Sequence, residues 1–126
     1  LLGVCESWMT PALFLSVTFI AGAVISFFTG SSWGTFAICI PIAVPMAYSF
    51  TGGQLGTLVY AAVGAVVSGG LFGDHCSPVS DTSVLSSLGA ACDHIDHVRT
   101  QLPYALLAAA VSIILWIVVA LVGGAA

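Results

Sequence analysis

The sequence predicts an all-α fold of polytopic membrane helices, some of them discontinuous, and three observations predict it. Only 5% of the 126 residues are charged and 60% are hydrophobic, against roughly 25% charge in a soluble domain. A globule so poor in charge cannot solvate its surface, so its solvent is lipid. The charges are also clustered: apart from Glu6, all lie within residues 74–99, and residues 7–73 and 100–126 contain no Asp, Glu, Lys, Arg or His. Finally, two hydroxyl-rich interruptions, TGSSWGT at residues 29–35 and SPVSDTS at residues 77–83, each follow a long apolar run. Paired breaks of this kind mark binding sites in transporters built from broken helices.

A helix needs about 20 apolar residues to cross a hydrocarbon core roughly 30 Å thick. The first candidate covers about residues 9–28, with Thr10 and Pro11 suited to its start. The first break ends it. Apolar sequence resumes over about residues 36–50, where Pro41 and Pro45 each remove a backbone donor and predict kinks. A turn at residues 51–54 leads to a third candidate, about 55–72, whose Gly56, Gly64, Ser68 and Gly69 offer small surfaces for close helix packing. Ser77 and Pro78 read as the N-cap and first residue of a short helix over about 78–91, too short to span. Residues 93–101 read as a polar loop with Asp93 as a cap. Arg99, the one basic residue, places that loop in the cytoplasm by the positive-inside rule. A last span covers about 103–122. Trp33 reads as an interface anchor or a wall of the site, and Trp8 and Trp116 as lipid or interface residues.

Residues 1–126 read as one membrane unit without a soluble domain. The chain opens on Leu1 with no basic leader, which reads as a fragment of a longer protein rather than a signal peptide. A net charge of -4 with a single Arg excludes nucleic acid as a partner, since phosphate binding needs clustered Lys and Arg. Four cysteines without a C-x-x-C give no disulfide framework.

Chemistry is confined to the breaks. Backbone unwound inside a bilayer is tolerated only where it is buried in protein or lines a wet cavity, and its free carbonyls attract small cations. Thr29, Ser31, Ser32, Ser77, Ser80, Thr82 and Ser83 add hard oxygen ligands, and Asp81 and Asp74 supply negative charge. An ionisable residue among apolar spans is a functional-site hypothesis by default. A carboxylate removed from water also binds a proton more readily. One such group can therefore hold H+ or Na+ but not both, and alternating access of it gives antiport by competition. Asp81 is the first choice for this carboxylate and Asp74 the second, while His75, beside Asp74, is placed to handle protons. His75, Cys76, Cys92, Asp93, His94 and His97 are metal-ligand types, but without H-E-x-x-H or G-x-S-x-G they point to a solvated, pH-sensing loop at His94 and His97 rather than to an enzyme.

Residues 73–82 (GDHCSPVSDT), continuing through Ser86-Ser87 to residues 92–104 (CDHIDHVRTQLPY), resemble the NhaC-type sodium/proton antiporter family, as do residues 29–36 (TGSSWGTF) followed by residues 40–43 (IPIA). The resemblance implies a secondary transporter of the bacterial or archaeal plasma membrane, about a dozen spans built as inverted repeats, of which this chain is the C-terminal part. It carries over Asp74, Ser77, Ser80, Asp81 and Thr82 from one motif and Thr29, Ser31, Ser32 and Trp33 from the other. The expected activity is sodium/proton antiport, with Na+ and H+ as transported ions and no cofactor. Sodium- or proton-coupled exchange of organic acids (malate and lactate) or amino acids is the alternative. An intramembrane metal enzyme and a structural membrane subunit are the readings from other classes. The implied partners are lipid, Na+, H+ and the remaining N-terminal helices of the same transporter, and an oligomer is compatible with all of this.

Overall fold

The computed structural model describes residues 9–123; Cys5, Glu6 and Trp8 lie outside the described residues. Five helices follow one another: α1 (Pro11–Thr29), α2 (Ser32–Phe50), α3 (Thr57–Cys76), α4 (Asp81–Gly89) and α5 (His94–Gly123). All except α4 are long and apolar enough to cross a membrane. At about 1.5 Å per residue the three of 19–20 residues match a core roughly 30 Å thick. The 30-residue α5 exceeds that thickness, so its polar beginning has room to project beyond the core.

Local chemistry sets the helix ends. Thr10 caps α1 by accepting from the Leu13 N–H, with Pro11 at the first helical position. Gly30, at φ 65°, ends α1 in the left-handed conformation and donates its N–H to Ser26 O. Ser31 then caps α2 through the Gly34 N–H. The expected break at residues 29–35 is therefore contracted to a turn at Gly30 and Ser31. The chain reverses there: Phe14 near the start of α1 meets Phe50 at the end of α2, with ring centroids 5.4 Å apart. Helix α2 runs through both Pro41 and Pro45.

Helix α3 continues past Phe72 to Cys76 because its polar residues find internal partners, including Cys76 Sγ to Phe72 O. Ser77 closes α3, its N–H donating to Asp74 O, and Ser80 rather than Ser77 is the N-cap of α4. Residues 94–101 are the first turns of α5, not a loop. The Asp93 carboxylate accepts from the N–H groups of Ile95 and Asp96, which turns a polar segment into a capped helix start. Pro103 lies inside α5; the carbonyl it leaves without a donor, four residues earlier on Arg99, belongs to an exposed residue.

Helix α3 is the most buried of the spans. Gly69 and Gly73 lie against the backbone of α1, where a Cβ would intrude on the carbonyl oxygens of Phe19 and Ala23. Ser26 Oγ donates to Gly70 O at 2.6 Å across the same seam. Lipid gives no hydrophobic drive between helices, so close backbone approach and interhelical hydrogen bonds hold them. Gly69→Ala is accordingly expected to destabilise by about 1–3 kcal/mol, read as a lower unfolding temperature in detergent. Trp116, half-buried, packs on α3: its indole N–H donates to Ser68 Oγ at 3.2 Å and its ring covers Gly64.

Candidate functional site

The two interruptions meet at one carboxylate. Asp74, in the last turn of α3, is only 8% exposed. Ser80 Oγ, at the N-cap of α4, donates to its Oδ1 at 2.5 Å. Ser32 Oγ, in the first turn of α2, donates to its Oδ2 at 3.0 Å. Both serines are buried. Two segments far apart in sequence thus each place one hydroxyl on the same side chain.

Other contacts lock the breaks together. Ser77 Oγ donates to Phe27 O at 2.6 Å, tying the second break to the end of α1. Gly30 lies directly on the backbone of Val79: a Cβ there would stand 2.8 Å from Val79 O. Ser83 Oγ donates to His75 O, holding α4 to the end of α3. The C-terminal ends of α1 and α3 and the N-terminal ends of α2 and α4 therefore converge on one point. Their partial charges, about −0.5 and +0.5 per end, oppose each other there, with Asp74 buried among them and Asp81 exposed in the first turn of α4.

Hydrogen-bond bookkeeping fixes donor directions around Ser80. Its single proton goes to Asp74, so the Thr82 hydroxyl, 2.7 Å away, donates to Ser80 Oγ. Asp74 and Thr82 both line an open cavity of about 540 Å³, together with His75, Gln101 and Tyr104. His75 is exposed at its edge, with Gln101 Nε2 donating to His75 Nε2. The Gln101 Oε1 atom is buried with no hydrogen-bond partner among the described residues.

Not every candidate joins this cluster. Asp81 occupies the first turn of α4 and its residue is exposed. Thr29 is exposed and its hydroxyl returns to Ile25 O in its own helix. Ser31 spends its hydroxyl on the α2 cap, and Trp33 is 81% exposed. Among the described residues no group of three or more His, Cys, Asp or Glu is placed to hold a metal ion. His94 is not a solvated loop residue: it is half-buried, with its ring hydrogen-bonded to Pro78 O and Ser87 Oγ. Sequence reading missed that role because no apolar periodicity or spacing signals a side chain-to-backbone contact across sixteen positions.

Residues 3–121 match the Na+/H+ antiporter family. The chain belongs to this family. It is 52% identical over 110 residues to an uncharacterised protein of Haemophilus influenzae, covering 86% of this chain and 20% of that protein. It is 36% identical over 114 residues to the malate-2H(+)/Na(+)-lactate antiporter of Bacillus subtilis, covering 90% and 23%. It is 32% identical over 113 residues to the Na(+)/H(+) antiporter NhaC of Alkalihalophilus pseudofirmus, again covering 90% and 23%. The chain thus spans about a fifth of the length of these relatives. No solved structure matches it significantly. Membership of the Na+/H+ antiporter family, with four helices able to cross a bilayer, makes it an integral membrane protein.

Proposed function

We propose that this chain is part of a sodium/proton antiporter of a bacterial or archaeal plasma membrane, and that Asp74 is the carboxylate for which Na+ and H+ compete. The burial of Asp74 at the meeting point of the two breaks supports this reading most directly. Na+ displaces the proton, takes the carboxylate oxygens and draws on the Ser32 and Ser80 oxygens. Thr82 backs Ser80, while Ser77 shapes the break. Asp81, Thr29 and Ser31 stay outside this cluster, and His75 passes protons at the cavity edge. Helices of the same transporter beyond this chain close the cavity.

A second reading is exchange of a small organic acid coupled to the same cation. The cavity beside Asp74 is far larger than a bare sodium ion needs, and one similar protein is named a malate/lactate antiporter.

The two are separated by reconstituting the intact transporter in vesicles loaded with NaCl and reading lumenal pH. Acidification driven by outward Na+ alone supports sodium/proton antiport. Acidification only when lactate or malate is added supports the second reading, and none in either condition rejects both. Within the first reading, Ser80→Ala removes a hydrogen bond to a charged group, a contribution of about 1.5–3 kcal/mol. It is expected to raise the KM for Na+ roughly 10- to 100-fold, measured as the Na+ dependence of that flux.

A further inference from the structure

We propose that His94 is a positioning residue of the cation site: its imidazole holds the Pro78 carbonyl, and so fixes the second break in the form that aims Ser80 at Asp74. This inference rests on the reading of Asp74 as the transport carboxylate. His94 opens α5, on a start made rigid by the Asp93 cap. Its Nε2 lies 2.7 Å from Pro78 O. A carbonyl oxygen only accepts, so Nε2 carries a proton and donates it. Its Nδ1 lies 3.2 Å from Ser87 Oγ on α4. The Ser87 hydroxyl has one proton, directed at Val84 O at 2.8 Å, so its oxygen packs against Nδ1 and donates there only when it turns from Val84 O. The imidazole is thus tied to the break through Nε2 and lies against buried Ser87 at Nδ1.

The break needs this outside support. Pro78 has no N–H to tether it. Within the turn the Ser80 N–H to Ser77 O bond is long, at 3.4 Å, and the other internal tie is the Val79 N–H to Ser77 Oγ at 3.2 Å. Yet two residues beyond Pro78 stands the serine that makes the 2.5 Å contact with Asp74. His94 therefore joins α5 to the carboxylate through the backbone of residues 78–80, and any displacement of α5 pulls on the Ser80 hydroxyl.

The test is a double-mutant cycle in the intact reconstituted transporter, with NaCl as the probe and sodium-driven proton flux as the readout. His94→Ala is expected to raise the KM for Na+ about 10-fold with kcat changed less than twofold, because ligand placement and not the transport step is altered. In a Ser80→Ala background the same change is expected to add less than twofold, since the group it positions is gone. Ser87→Ala, which deletes one hydroxyl and leaves the ring, is expected to raise the KM about threefold and to show the same non-additivity. Full additivity of either variant with Ser80→Ala, or a wild-type KM in both, overturns the proposal. If His94→Ala fails to insert, the Ser87→Ala cycle decides alone. Sodium-driven flux that survives Asp74→Asn sinks the underlying reading instead, so the two failures are distinct.

Discussion

Asp74→Asn is expected to abolish sodium-coupled proton flux in the intact transporter, by at least about 100-fold, while leaving insertion intact. A sodium ion about 4 Å from a unit negative charge gains about 4 kcal/mol at an effective dielectric of 20. Removing the charge forfeits that attraction, worth roughly a thousandfold in affinity at 1.4 kcal/mol per decade. Asn also cannot take up the competing proton, so both halves of the exchange fail together. The fold has less to lose. The Asn carbonyl still accepts from one of the two serines that donate to Asp74, and its NH2 turns to the other serine's oxygen. The comparison that gives this result meaning is Asp81→Asn. Asp81 is exposed, and an exposed charge interacts weakly with its surroundings, so flux is expected to change less than about threefold. The measurement is lumenal acidification in vesicles carrying equal amounts of inserted protein. The reverse order of effects, with Asp81→Asn dead and Asp74→Asn active, would move the site to the α4 helix.

Gly30→Ala is expected to damage transport without altering any polar side chain. Gly30 sits at φ 65°, where an L-residue is strained by roughly 1–2 kcal/mol, and the new Cβ would stand 2.8 Å from Val79 O and 3.0 Å from the Ser80 N. Relieving that overlap costs about 1–3 kcal/mol more and pushes apart the two breaks that share Asp74. Gly52→Ala provides the control, because Gly52 has nearly the same φ, 64°, with nothing within 4 Å of its Cβ position. Both variants are expected to lose thermal stability, Gly30→Ala the more. Only Gly30→Ala is expected to lose flux, by about tenfold or more when a shift of 1.4 kcal/mol reaches the site. Equal flux in the two variants would mean that the contact between the breaks has no part in transport.

How much of this was legible in the sequence varies by feature. The four spans were visible because residues 7–73 and 100–126 carry no Asp, Glu, Lys, Arg or His, and lipid tolerates few other arrangements of such a chain. The polar helix start at His94 was not, since its helicity depends on the Asp93 cap and on docking to α4 and the second break. The contraction of residues 29–35 to a tight turn depended on Gly30 fitting against Val79, a contact no local pattern encodes. Trp116 read as a lipid residue because its neighbours are apolar, while its partner Ser68 lies on another helix.

The amino-acid order by itself determined that this chain lies in a membrane, that its described residues are all-helical, and that hydroxyl-rich segments interrupt its apolar runs. Those conclusions follow from solvation and periodicity, which act residue by residue along the chain. Which acidic side chain the breaks enclose was decided only in three dimensions. Asp74 and Asp81 are equally polar and belong to one motif, but α3 carries the first between Ser32 and Ser80 while the first turn of α4 leaves the second at the surface. Burial is a property of neighbours, and these neighbours come from segments that only helix packing brings together.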